Sequence, residues 1–191
     1  MIDLSKKGLP DVIYCNGRPY SIYTDFRYWL KFYKLIQKKD LKLSELYFLF
    51  KNKTPHDDLF LLDVSEETAD FSPQLLEFFY NPNATPKGES KSTTKTFDYI
   101  LDGEYIYASF LQVYGIDLTE CDMHWHKFKA LFASLPENCK MREIMSFRGW
   151  KEDNRKYKTI ANELKNDWSF PLEKIDKEIE EGLKQDFYNA Y

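Results

Sequence analysis

Large apolar side chains recur at the period of an α-helix through most of this chain, which leaves a helical fold as the natural way to bury them. After Thr24-Asp25, which offers an N-cap, Phe26, Trp29, Leu30, Tyr33 and Ile36 fall on one helix face. Tyr28, Phe32 and Leu35 add a second apolar stripe, so this helix is expected to be central. Leu43, Leu46, Tyr47 and Phe50 continue the helical period. Ser72-Pro73 reads as a helix start, with a capping hydroxyl and then proline at the first helical position, followed by Leu75, Leu76, Phe78 and Phe79. Ile106, Phe110 and Val113 line one face of a later helix and Tyr107, Leu111 and Tyr114 another, with Gly115 suited to end it.

The spacing Thr119-x-x-Asp122 resembles a capping box and is expected to open a helix carrying His124, Phe128, Leu131 and Leu135. Met141, Ile144, Met145 and Arg148 lie on a short helix closed by Gly149. Tyr157, Ile160, Ala161, Leu164 and Trp168 make one further stripe, and Leu172, Ile175, Ile179, Leu183 and Phe187 the last. The exception to helical spacing stands near the N-terminus. Val12–Cys15 and Tyr20–Tyr23 flank Asn16-Gly17, two residues tolerant of positive φ, which is the signature of a tight β-hairpin. Pro19 has no N–H and should sit where the ladder needs none. Leu59–Leu62 suits either a strand or a buried helical turn.

The 191 residues are long enough to build a core without disulfides or metal. Gly and Pro together number 15, about 8% against a usual ~12%, which argues against glycine-rich β architectures. The expected fold is therefore mainly α: a compact multi-helix domain, residues 1–191, with a small N-terminal β-hairpin. Residues 81–96 hold one apolar side chain, Ala84, and are expected to form an exposed, mobile loop. The C-terminal helices, residues 153–188, could form an appended interaction element.

Cys15, Cys121 and Cys139 are odd in number and lack C-x-x-C spacing, so reduced thiols in a reducing compartment are expected. The N-terminus lacks the apolar segment and cleavage site of a signal peptide, and no apolar run approaches the ~18 residues that span a bilayer. A soluble intracellular protein is expected. The net charge is −4, but it is arranged in blocks. Residues 1–51 carry ten basic and five acidic groups, residues 52–82 one and seven, and residues 97–123 none and six. Such alternation suits docking to a second copy or to a protein partner.

Catalytic patterns are weak. His124 and His126 are two residues apart, which on a helix puts them about 200° apart, whereas paired metal ligands need a spacing of three or four. The expectation is a packed His124, a surface or interface His126, and no metal. Cys121 precedes His124 by three residues without forming a recognisable nucleophile–base motif. Asp57-Asp58, Glu66-Glu67 and Glu180-Glu181 are adjacent pairs whose side chains diverge, so solvation is their expected role. Phosphate-binding glycine motifs are lacking. Residues 140–168 carry eight basic and five acidic groups with Tyr157 and Trp168 interleaved, but these rings share a helical stripe with Ile160 and Leu164, which assigns them to a core rather than to nucleic acid. No enzyme and no cofactor is expected. The terminal stripe of Ile175, Ile179, Leu183 and Phe187, with Trp150, is the candidate partner-binding surface.

Several segments taken together resemble the bacteriophage gene-product-fifteen family. They are Tyr20–Trp29 (YSIYTDFRYW), Phe97–Phe110 (FDYILDGEYIYASF) running on to Tyr114–Thr119 (YGIDLT), and Met123–Pro136 (MHWHKFKALFASLP) followed by Ile144–Arg148 (IMSFR). The resemblance covers roughly residues 12–150, and Asp25, Phe26, Trp29, Tyr107, Trp125, Phe128 and Arg148 are its motif residues, with structural roles expected. The family shows Trp where this chain has His126. The resemblance implies a gene of the tail-morphogenesis region and a tail assembly chaperone, working in the host bacterial cytoplasm, that binds the tape-measure protein and other tail assembly proteins. It allows a homo-oligomer. The alternatives are a structural tail or neck component of the virion and a nucleic-acid-binding regulator.

Overall fold

The computed structural model describes residues 2–38, 41–52, 71–80, 95–149 and 164–170. The architecture is mainly α with one two-stranded antiparallel hairpin. Its strands are β1, Val12–Cys15, and β2, Arg18–Ser21. Asn16 and Gly17 both adopt positive φ, 51° and 75°, as the two-residue turn requires. Pairing runs Val12 with Ser21, Ile13 with Tyr20, Tyr14 with Pro19 and Cys15 with Arg18. The pair that closes the turn is hydrogen-bonded, so Pro19 stands in the next, non-bonded position, where its missing N–H costs nothing. Ile13, Cys15 and Tyr20 point inward, and Tyr14 and Pro19 outward. Replacing Gly17 by Val forces a β-branched residue into the left-handed region, and a loss of about 1–2 kcal/mol in denaturant unfolding is expected.

The chain divides into two compact units. The first takes residues 1–91 and 115–134 and contains the hairpin, α1 (Phe26–Leu35), a 3₁₀ helix η1 (Leu43–Leu49), α2 (Ser72–Tyr80) and α4 (Trp125–Ala133). The second takes residues 92–114 and 135–191 and contains α3 (Gly103–Tyr114), α5 (Lys140–Arg148) and a helical turn at 164–167.

In the first unit Asp25 caps α1, accepting from the Arg27 backbone N–H, and Phe26, Trp29 and Phe32 are the buried face. The segment expected to continue as a regular helical stripe is instead a 3₁₀ helix. Its three residues per turn place Leu46 and Leu49 on one buried line. Phe50 then leaves the helix and pairs with Ile22 in an isolated bridge. α2 begins where Ser72-Pro73 signals it, with Phe71 accepting the first helical bond from Leu75, and buries Leu75, Phe78 and Phe79.

α4 starts later than its capping-box signal. Thr119 is drawn back to Asp117, donating to its carboxylate from both backbone and hydroxyl, and the Asp122 side chain stands in solvent. The physical reason is tertiary. Met123–Trp125 lies extended against Thr24–Phe26, with Phe26 N–H to Met123 O at 2.8 Å and Trp125 N–H to Thr24 O at 2.7 Å. Paired backbone cannot also be helical, so the cap falls on His124. The buried face of α4 is Trp125, His126, Phe128 and Phe132; of the expected stripe Phe128 is buried on the helix, Leu131 is half-buried, and Leu135 is buried beyond the helix end.

In the second unit α3 buries Ile106, Ser109 and Phe110, and Gly115 follows it at φ 65°, the left-handed residue that ends a helix. Leu111, expected on a second apolar face, is exposed. α5 buries Met141, Ile144 and Arg148 and ends at Gly149. Leu59–Leu62, residues 81–94 of the expected loop, and most of 153–188 lie outside the described residues, as do the stripe residues Tyr157, Ile160 and Ala161.

Candidate functional site

The motif segments pair off within each unit. In the first unit, 20–29 meets the 123–134 part of its partner segment. The Asp25 carboxylate accepts from the Met123 N–H at 3.1 Å and from the Arg27 guanidinium at 3.1 and 3.2 Å. The same guanidinium donates to the carbonyls of Leu118, Thr119 and Cys121 at 2.9 to 3.2 Å. Arg27 thus serves as an internal cation that gathers the 118–121 loop onto the start of α1. Phe26 and Phe128 stack beneath this junction at 4.9 Å between centroids.

α4 also caps the far end of α2. The last carbonyls of a helix lack intrahelical partners and carry its negative end. Trp125 Nε1–H donates to Phe79 O at 3.0 Å, Lys129 Nζ donates to the same carbonyl, and His126 Nε2 bonds Phe78 O at 2.9 Å. Rings back each bond: Trp125 on Phe79 at 4.9 Å, His126 on Phe78 at 4.4 Å. The two histidines therefore exchange their expected places. His126 is buried at an aromatic position, and His124 is the half-buried cap, its Nδ1 accepting from the His126 N–H and its Nε2 bonded to Pro10 O.

Carbonyl oxygen only accepts, so Nε2 carries the proton in both rings and both Nδ1 atoms are bare. His126 Nδ1 finds no hydrogen-bond partner among the described residues. Burial pushes His126 down from the usual 6.5 to about 4, and burial also lowers His124 against the raising effect of its Pro10 bond. Burial lowers Lys129 to about 8, so it is charged at neutral pH.

A pH dependence follows. Both imidazoles bind protons less readily folded than unfolded, so the unfolded chain gains protons first as pH falls below 6.5. Stability present at pH 7 is lost progressively towards pH 4. His126 alone accounts for about 2 kcal/mol between pH 7 and 4.5. The carboxyls of Glu45 and Asp3 are also lowered, chiefly by hydrogen bonds from Lys38 and Ser5 respectively. Denaturant unfolding across pH 4.5–7 checks this, and His126→Phe should remove much of the slope. A variant that keeps the whole acid loss would show that the slope belongs to other groups.

The second unit is organised by a buried ion pair between its two motif segments. Arg148 Nη1 and Nη2 meet Asp102 Oδ2 and Oδ1 at 2.6 and 2.9 Å in a bidentate fork. Arg148 also donates from Nε to Trp168 O at 2.6 Å and from Nη1 to Thr96 O at 3.3 Å, and its guanidinium lies 3.9 Å from the Phe170 ring centre. Asp98 N–H donates to Asp102, while the Asp98 carboxylate accepts from Lys95 and from the Ile100 and Leu101 N–H groups. Trp168 packs edge-on against Tyr105 at 5.6 Å, with Lys140 over its ring.

Asp25, Phe26, Trp29, Trp125 and Phe128 come together in the first unit. In the second, Arg148 lies in the buried pair and Tyr107 lies half-buried on α3. Trp150, Ile175, Ile179, Leu183 and Phe187 lie outside the described residues. Sequence reasoning passed over Asp98 and Asp102, whose spacing of four at a helix start was the available signal, and over Arg27 and Lys129. All three cysteines are free thiols, and burial pushes Cys15 up to about 11, which leaves it unreactive. Among the described residues no three His, Cys, Asp or Glu side chains gather as a metal-binding group. No described helix is long and apolar enough to cross a membrane.

The ionisable groups of both clusters are engaged with backbone carbonyls, carboxylates and rings, so their chemistry is cohesion between segments distant in sequence. No characterised protein and no solved structure matches the chain. The model of a family described as bacteriophage Gp15 protein matches residues 6–169, a span that contains every motif segment paired above, and the chain belongs to that family.

Proposed function

We propose that the protein is a tail assembly chaperone that binds the tape-measure protein in the host cytoplasm while the tail tube forms, acting by binding and without catalysis. Membership of the bacteriophage Gp15 family carries this proposal. Surface chemistry supports it: Leu4, Tyr14, Tyr80, Ile100, Leu101 and Leu111 are exposed apolar side chains of the kind that cover another protein's apolar surface.

Co-expression with the tape-measure protein of the same phage tests it. Soluble yield of that partner should rise and the two should co-purify. If neither happens, the chaperone role fails. Mass spectrometry of purified particles gives the second check. A stoichiometric copy number in the virion would replace the chaperone with a structural tail or neck component.

A further inference from the structure

The ten-residue helix α1 contains no acidic residue, and its solvent side carries Arg27, Lys31 and Lys34 at helical spacing, with Lys38 just beyond its end. Arg27 is consumed by Asp25 and the loop carbonyls, and Lys38 by Glu45 at 2.8 Å. Lys31 and Lys34 meet no carboxylate among the described residues. Among the described residues of 2–52 the carboxylates are already engaged: Asp3 with Ser5 and Lys6, Asp11 with Lys51, Asp25 with Arg27, and Glu45 with Lys38. Lys31 and Lys34 are therefore exposed cations whose charge no described carboxylate cancels.

Beside these lysines runs a ladder of rings. Tyr23 and Tyr28 stack at 4.5 Å with planes 6° apart, and Tyr28 and Phe48 at 6.3 Å with planes 15° apart. The Lys31 ammonium sits 4.1 Å above the Phe48 ring. Tyr28 stacks with both Tyr23 and Phe48, and Lys31 lies over Phe48, so much of the ring surface within the ladder is already engaged and the edges stay available. Ring edges carry partial positive charge and suit carboxylate oxygens, whereas single-stranded nucleic acid needs open faces for base stacking.

We propose that this face of α1 receives an acidic amphipathic helix of a protein partner, whose carboxylates meet Lys31 and Lys34 and whose apolar edge lies along Tyr23 and Tyr28. The proposal rests on the assembly-factor assignment only in taking the partner to be a protein.

The probe is a fluorescent synthetic helical peptide with Glu at positions i, i+4, i+7 and i+11 and Leu on the adjoining face. The comparators are the same peptide with Gln for Glu, and a twenty-nucleotide oligo(dT). The full chain should bind the Glu peptide with salt-sensitive affinity and the Gln peptide at least about tenfold more weakly. The double variant Lys31→Glu/Lys34→Glu should lose about tenfold or more. The charge-matched control Lys7→Glu/Lys127→Glu, at exposed sites elsewhere, should stay within about twofold. Equal loss in both double variants, or no binding of the Glu peptide, overturns the proposal. So does oligo(dT) binding as tightly and with the same dependence on Lys31 and Lys34. Failure of the tape-measure co-expression with peptide binding intact would remove that partner and leave this face standing.

Discussion

Arg148→Ala is expected to cost about 3–5 kcal/mol, because it strands a buried carboxylate rather than merely deleting a contact. Among the described residues Asp102 would keep only the Asp98 N–H, and the carbonyls of Trp168 and Thr96 would lose the Arg148 donor. Arg148→Lys should also lose about 2 kcal/mol, since an ammonium cannot reproduce the fork or lie flat against Phe170. The double change Asp102→Leu/Arg148→Met removes both charges together and should recover most of the Ala loss. Denaturant unfolding gives the size, and residue-resolved hydrogen exchange gives the place. Protection should fall at 96–114, 140–149 and 164–170. A loss below about 1 kcal/mol would mean that the pair is solvated in solution, and the buried fork would then be wrong.

That pair also explains what was legible beforehand and what was not. The hairpin, the Asp25 cap, the start of α2 and the Gly115 stop were readable because each is decided by residues adjacent in the chain. The acidic block 97–123 was equally visible, but its direction was not. Asp98 and Asp102 turn inward because Lys95 and Arg148 meet them there, and Arg148 is 46 residues from Asp102. The start of α4 was misplaced for a similar reason. Thr119 and Asp122 have a capping spacing, yet backbone pairing of 123–125 with 24–26 holds the chain extended past them. His124 and His126 were exchanged because that shift moves the first out of the helix and the second onto its buried face. Local chemistry was readable wherever it decided the outcome. Where a distant strand or counter-ion decided, only the identity of the residues could be seen.

Trp29→Ala is expected to be as damaging in the first unit, at about 3–5 kcal/mol. The indole is fully buried, and it joins α1 to α2 through Phe78 at 4.5 Å and Phe79 at 6.4 Å, with Phe32 packed edge-on at 5.4 Å. Its Nε1–H donates to Tyr23 O at 2.9 Å, so it also holds the chain where β2 runs into α1. Truncation to Ala removes the packing and the donor together. Trp29→Phe separates them, because it keeps much of the ring volume and loses the N–H, and should cost about 1–3 kcal/mol for the carbonyl left without its donor. Exchange protection should fall at 12–35, 72–80 and 125–133, the segments whose side chains or backbone reach this cluster. A Trp29→Phe loss equal to that of Trp29→Ala would assign the whole effect to the hydrogen bond. A Trp29→Ala loss below about 1 kcal/mol would mean that Phe78 and Phe79 do not depend on the indole, and the aromatic core of the first unit would need another keystone.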